Sequence, residues 1–431
     1  MVDIPRSFAT FHRENGHKGF HYVDLPPVSL LTAGSDGLES WRCLLSRQFS
    51  FLSLPMRILQ TTHANIPEGM IDLGVGQPTL SELPLDALRA AADHALSTGN
   101  TAILQYGADH GDGYFRQTLA QFLTRRYNTP VDLDSLLITA GASQALDLIC
   151  TRFTKPGDTI FVEEPTYFLA LLIFRDHGLN VVGIPIDEHG LRIDALEQAL
   201  AQHRPVMLYT IPTFQNPSAV TMNAERRVQL VALSAQHDFL IVADEVYHLL
   251  DFGGPLPAPF AAHVSRGRVL SLGSFSKICA PGLRLGWVQG DAQLISTLVA
   301  AGLIESGGGL NPFTSAVMRS FIELGLQDTC LDHFRTLYQA RCLALCDALR
   351  EHIPAAQFTK PLGGFFVWLQ LPNERRVTDI IDESRRSGVS FQAGTRFGKG
   401  DAMAAYVRLS FAHYETTELV EGARRLGAVL Q

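Results

Sequence analysis

Lys277 lies in Ser274-Phe275-Ser276-Lys277-Ile278-Cys279-Ala280-Pro281-Gly282-Leu283-Arg284, directly after the apolar run Val269–Leu272. Desolvation in such a stretch and a guanidinium seven residues on both lower a lysine's pKa, which is how an amine becomes a usable nucleophile. The chain has five lysines, at 18, 155, 277, 360 and 399. Three of the others lie in turn sequences and Lys18 lies near the N-terminus, so Lys277 is the outlier.

Three more polar groups follow apolar runs, and beyond strand ends is where open α/β sheets bind ligands. Thr139-Ala140-Gly141-Ala142-Ser143-Gln144 reads as a small-residue turn into a helix, a place where free N–H groups meet an anion or where Ser143 merely caps. Asn216 precedes Pro217, an ordinary turn signal. Asp244 ends the very apolar run Phe239–Ala243 and is followed by Glu245 and Tyr247. A carboxylate there is partly buried and needs a cationic or hydrogen-bonding partner, unless it only caps a helix.

Short apolar runs bounded by turn residues predict strands over 135–141, 158–165, 180–186, 205–212, 238–245 and 268–274. From about residue 85 helical stretches, such as 115–127, alternate with these runs, which predicts βαβ units and a mostly parallel sheet. After the glycines at 307–309 the texture changes, with a long helix over 331–351 and strands over 365–371, 389–393 and 405–412. The expected fold class is α/β. The expected division is an irregular N-terminal arm over 1–50 with a helix starting near 38, a joining segment over 51–84, a large domain over 85–305 and a smaller α+β domain over 306–431.

Composition excludes several functions. A formal net charge of −8 over 431 residues provides no basic field for nucleic acid. The longest apolar run, Phe168–Phe174, is far too short to span a bilayer. Six cysteines show no metal spacing, no H-E-x-x-H occurs, and no metal site is expected. Pro78 behind Gly74-Val75-Gly76 rules out a dinucleotide-binding helix there. The N-terminus carries no secretory pattern, and a cytoplasmic protein is expected.

Taken together, Asn216, Asp244, Tyr247, Lys277, Arg284 and Arg408 form an ordered set that resembles the fold-type I, class I/II pyridoxal 5′-phosphate aminotransferases, nearest the aminoadipate/kynurenine aminotransferase branch. The resemblance covers about residues 50–430. It implies a seven-stranded-type sheet in the large cofactor-binding domain, a homodimer, and transamination between an α-amino acid and a 2-oxo acid by ping-pong kinetics. It makes Lys277 the Schiff-base lysine and pairs Asp244 with the pyridine nitrogen. Asn216 and Tyr247 would bond the ring oxygen, and Tyr167 would stack on the ring. Ser143, Gln144, Ser274, Ser276 and Arg284 would hold the phosphate, joined by Tyr106 from the other subunit. Arg408, Gly76 and Asn216 would bind the substrate carboxylate. For the second carboxylate of a dicarboxylic substrate, Arg57 and Arg396 are the candidates.

Two positions depart from the family pattern: Ala219 stands where Gly is common and Ala393 where Pro is common. Two other readings share the scaffold. A C–S β-lyase would use the same lysine and arginine. A MocR-type regulator would need a DNA-binding module, and no such pattern precedes the aminotransferase-like part here.

Overall fold

The computed structural model describes residues 7–14, 17–24 and 65–431. The chain forms two compact units, Met1–His63 and Ala64–Gln431. In the first, strands β1 (Ser7–Glu14) and β2 (His17–Asp24) pair antiparallel, with Glu14 opposite His17. This corrects the expectation of an irregular arm across this stretch. Both segments are rich in aromatic and β-branched residues, and Asn15-Gly16 stands between them in the sequence, the strongest short-range hairpin signal. The helix expected from residue 38, and Arg57, lie outside the described residues.

The second unit begins with β3 (Ile71–Asp72) and contains β4 (Leu136–Thr139), β5 (Thr159–Glu164), β6 (Asn180–Asp187), β7 (Gly190–Leu191), β8 (Met207–Thr210), β9 (Leu240–Asp244), β10 (Val269–Ser274) and β11 (Gly286–Gln289). β4 to β11 form an eight-stranded sheet in the order β4-β11-β10-β9-β8-β5-β6-β7. Seven of these are substantial strands; β7 is a two-residue addition that turns back on β6. β4, β8, β9, β10 and β11 are buried along their whole length. Helices cover both faces of such a sheet, which is why these strands read as unbroken apolar runs.

β5, β6, β8, β9 and β10 run parallel, while β11 runs antiparallel to both β10 and β4. The link 275–285 is too short to cross over a sheet face, so the chain must return beside β10, with Gly286 opposite Ser274. The consequence is a shared edge: Thr139, Thr210, Asp244 and Ser274 all end strands on the same side of the sheet.

A second sheet contains β12 (Phe366–Gln370), β14 (Gln392–Ala393) and β15 (Tyr406–Ser410) in the order β12-β15-β14. The stretch 389–393, expected as one strand, is divided: β13 (Val389–Ser390) pairs parallel with β3, whereas β14 pairs antiparallel with β15. Trp368 and Gln392 both lie opposite Arg408. The long helix Leu326–His352 and the last helix, Thr416–Leu430, pack against each other.

One buried ionic cluster holds the loops beyond β8 and β9. Arg227, 1% exposed, donates to the carbonyls of Met222, Pro212 and Ala258 and to Thr213 Oγ1. Its Nη1 is 3.6 Å from Glu245 Oε1. Glu245 in turn accepts from the Phe260 and Ala261 amides and Ser271 Oγ. Removing one side of a buried pair strands the other charge at a cost of about 3–5 kcal/mol. Arg227→Ala should therefore lose stability of that size in urea unfolding; a loss under about 1 kcal/mol would mean that Glu245 is already neutral.

Candidate active site

Asp244, at the end of β9, is only 8% exposed. Its Oδ2 accepts from the Tyr209 hydroxyl at 2.8 Å, while Oδ1 is buried and accepts nothing among the described residues. Burial pushes its carboxyl up to about 6; the Tyr209 hydroxyl, the Val246 amide and Lys277 pull the other way. A buried carboxylate oxygen with no donor is costly, and it calls for an N–H from a bound group.

Lys277 is in the one-turn helix Phe275–Ile278 that follows β10. Its Nζ donates to the Gly76 carbonyl at 3.0 Å and lies 5.2 Å from the ring centre of Phe365 and 5.9 Å from that of Tyr247. Desolvation first, then the Arg408 guanidinium, lowers its pKa from 10.5 to about 8, with Asp244 opposing. The amine is thus available near neutral pH, as the stretch around it predicts.

Beyond Lys277 a cradle of donors opens. The helix Ala142–Phe153 starts after Gly141, whose φ of +91° only glycine adopts easily. A Cβ there would lie 2.8 Å from Arg284 Nη2. Arg284 reaches the Ala140 carbonyl at 3.0 Å and Ser276 Oγ at 3.4 Å. Ser274 Oγ donates to Ser276 Oγ at 3.0 Å. Gln144 accepts the Ala140 amide through Oε1, and its Nε2 is buried without a partner. Ser143 is exposed at the same helix start, and its hydroxyl makes no hydrogen bond among the described residues. Helix N–H groups, hydroxyls and a guanidinium together suit a phosphate.

On the opposite side, Arg408 in β15 is 4% exposed. It donates to Asn216 Oδ1 at 2.9 Å and to the Gly74 carbonyl at 2.8 Å, and its guanidinium lies 4.0 Å above the Phe366 ring. Its Nε is unpartnered, and burial lowers its pKa to about 10. No carboxylate neutralises it among the described residues, so it is poised for a carboxylate ligand. Gly76 fits closely beside it: a Cβ there would be 3.0 Å from Phe366 and 3.6 Å from Arg408 Nη2. Tyr167 lies within the fields of both Asp244 and Arg408, and burial raises its hydroxyl to about 12. Tyr247, also raised by burial, packs edge-on against Phe365 and Phe366.

Tyr106 stands apart from this group. It is 81% exposed and forms no hydrogen bond with any of the others. Backbone geometry explains one of the two departures and not the other. Ala219 has φ +61°, a left-handed conformation that favours glycine, so alanine carries strain there. Ala393 has φ −65°, the value proline would impose, so alanine replaces it without conflict. Tyr209, Phe365, Phe366 and the Gly74 carbonyl are site groups that sequence reasoning missed. Tyr209 carried a weak signal, being a polar ring inside an otherwise apolar strand. A cavity of about 400 Å³ lined by Leu171, Leu179, Val181 and Phe397 includes none of the residues around Lys277.

Residues 68–426 match the family model for aminotransferase class I and II. This chain belongs to that family. Among its relatives is aromatic-amino-acid aminotransferase 1 of Thermococcus litoralis, 34% identical, with 84% of this chain and 88% of that protein covered. The 2-aminoadipate transaminase of Thermus thermophilus is 30% identical over 84% of this chain and 90% of its own. The structure of a Pyrococcus horikoshii kynurenine aminotransferase, solved with PMP, superimposes with a TM-score of 0.79 at 32% identity, covering 84% and 91% of the two chains. The protein is a pyridoxal 5′-phosphate-dependent aminotransferase with the fold-type I architecture.

The buried carboxyl has a measurable consequence. Its pKa in the folded chain, about 6, lies above the ordinary 3.8. The unfolded state therefore sheds its proton first, and stability falls as pH rises from about 4 to 6. Above pH 6 the full penalty applies. Asp244→Asn should thus make the cofactor-free protein more stable at pH 8 by about 1–3 kcal/mol, with the gain shrinking toward pH 5. Equal or lower stability at pH 8 in urea unfolding would show that Asp244 is not strained by burial.

Lys277 provides a second check. Reductive alkylation of the cofactor-free protein, followed by mass spectrometry, should show modification of Lys277 rising with a midpoint near pH 8. A midpoint above 10 would contradict its desolvation.

Proposed function

We propose that Lys277, Asp244, Asn216, Tyr247 and Arg408 carry the transamination, with Arg284, Ser274, Ser276, Gln144 and Ser143 holding the cofactor phosphate. The observation that carries this reading is the buried Asp244 Oδ1 without a donor, on the same strand-end edge as a desolvated Lys277. When bound, pyridoxal 5′-phosphate supplies an electron sink for negative charge developing at the substrate α-carbon. Asp244 would accept the N–H of the cofactor's ring nitrogen through its free Oδ1 and would stay ionised beside it. Asn216 and Tyr247 would hold the ring oxygen, and Tyr167 would cover the ring face.

Arg408 grips the substrate α-carboxylate, with Gly76 leaving room for it and Asn216 holding the guanidinium in line. The neutral Nζ of Lys277 would take the substrate α-proton as general base and, once protonated, give it back as general acid. Donor and acceptor use the same arginine in turn, so the kinetics are ping-pong. The smaller sheet and its helices, over 306–431, form a domain that brings Arg408 to the cofactor domain over 85–305.

The functional unit is a homodimer in which Tyr106 completes the phosphate site of the other subunit. Its ring is exposed on one chain and has no task there. Five described cysteines are all buried and free, in keeping with a reducing, cytoplasmic setting.

Lys277→Ala should lose nearly all transamination of any donor while still binding the cofactor. Activity at the wild-type rate would sink this assignment. For the shared site, inactive Lys277→Ala and weakened Tyr106→Ala chains are refolded together. Recovery of activity above either parent is expected, because one heterodimer site keeps both residues. No recovery would place Tyr106 outside the partner's site.

A further inference from the structure

The cavity of about 400 Å³ outside the Lys277 cleft is within the size range of sites for small organic ligands. Val162 stands opposite Gly183 in the β5–β6 register. Alternation along a strand therefore puts Val162, Glu164, Val181 and Gly183 on one face of the sheet. The helix Phe168–Asp176 and the stretch Phe397–Lys399 complete the wall, which is largely apolar.

Three polar groups in this wall have unused bonding capacity. Glu164 Oε1 accepts the Lys399 amide at 2.7 Å, while Oε2 accepts nothing among the described residues. Lys399 Nζ donates to the Val181 carbonyl at 2.8 Å, which leaves two of its three N–H groups. No carboxylate pairs with that ammonium among the described residues. Thr166 is 1% exposed, and its Oγ1 has no partner there either. A buried hydroxyl without a partner calls for one from a bound group. Arg175 differs, because Asp176 neutralises it at 3.1 Å.

The spacing of the two charges selects the ligand. Gly183 makes room for the acid, since a Cβ there would lie 2.4 Å from Glu164 Oε2. The carboxylate is thus level with Gly183, and the Lys399 ammonium is level with Val181, two residues earlier on β6. Two strand residues separate these levels by about 7 Å. An α-amino acid carries its ammonium nitrogen and carboxylate oxygens roughly 3 Å apart, and one hydrogen bond at each end extends its reach to about 8 Å. A ligand with only negative charge would be repelled by Glu164, and one with only positive charge by Lys399. A zwitterion satisfies both.

We propose that this cavity is a second, non-catalytic site for an α-amino acid with a large apolar side chain. Glu164 receives the ammonium and Lys399 the carboxylate, and the side chain lies against Leu171, Leu179 and Phe397. Phe397 also meets the Arg408 guanidinium at 5.2 Å, so the cavity adjoins the substrate site. Lys277, Asp244, Asn216 and Arg408 do not line it, and an amino acid held there is away from the reacting groups. The site does not depend on the roles assigned to Lys277 and Arg408.

The test uses holoenzyme treated with aminooxyacetate, which condenses with the cofactor aldehyde and blocks the catalytic site. Calorimetric titration with phenylalanine should then show one site per chain. The fragments 3-phenylpropanoate, without the ammonium, and phenethylamine, without the carboxylate, should bind at least tenfold more weakly. Glu164→Gln and Lys399→Met should each weaken phenylalanine binding at least tenfold, and Leu171→Trp, which fills the cavity, should remove it. Lys399 is exposed, so its variant tests the site without disturbing the core. No binding to the blocked wild type would overturn the proposal. So would a fragment that binds as tightly as phenylalanine, or an affinity for phenylalanine unchanged in Lys399→Met and Leu171→Trp.

Discussion

A carboxylate forced out of water at the end of β9 is the constraint from which the site follows. Asp244 can stay there because Tyr209 satisfies one oxygen, yet the other is left for a group that the chain does not contain. An unsatisfied buried oxygen costs stability in the chain without a ligand. Lys277 belongs to the same arrangement, since the burial that raises Asp244 lowers the lysine. Neither residue would be useful on a solvated surface, where both would be ordinary charged groups.

The surrounding structure buries Asp244, half-buries Lys277 and holds both in place. Arg227 and Glu245, a second buried pair, bind the loops after β8 and β9 by hydrogen bonds to backbone rather than by charge alone. They are structural, whereas Asp244, next in the chain to Glu245, is left with an unspent oxygen. Adjacent acids thus take opposite roles according to how completely each is satisfied. Where the helix Ala142–Phe153 begins, Gly141 and Arg284 both have positive φ, at +91° and +46°. Ala219 shows the same strain without the glycine that would remove it.

Strand residues were legible because burial on both faces leaves an apolar run that no surface element needs. Lys277, Asp244 and Ser274 could be read as strand-end groups for the same reason. Other features depend on pairing partners far away in the chain. β11 looks like any apolar strand, and only the short link from Ser274 makes it antiparallel. Residues 389–393 look like one strand, but their two halves find β3 and β15 in different sheets. The β1–β2 hairpin is the opposite case, since Asn15-Gly16 was a local signal that the His, Gly and Pro content of the region obscured.

Sequence alone determined the chemistry available: a lysine after a buried strand, an acid after another, and an arginine in a late strand, in an order that marks the family. Residue type and local periodicity are enough for that, because nucleophile, acid and anion receptor are properties of side chains. Tertiary structure decided which of them share one cleft and with what charge. It brought Arg408 over Phe366 beside Asn216, left Asp244 Oδ1 without a donor, and set Arg396 near Arg408 through Gln392. The reason is that desolvation and hydrogen-bond satisfaction depend on what packs around a group, and those neighbours come from hundreds of residues away.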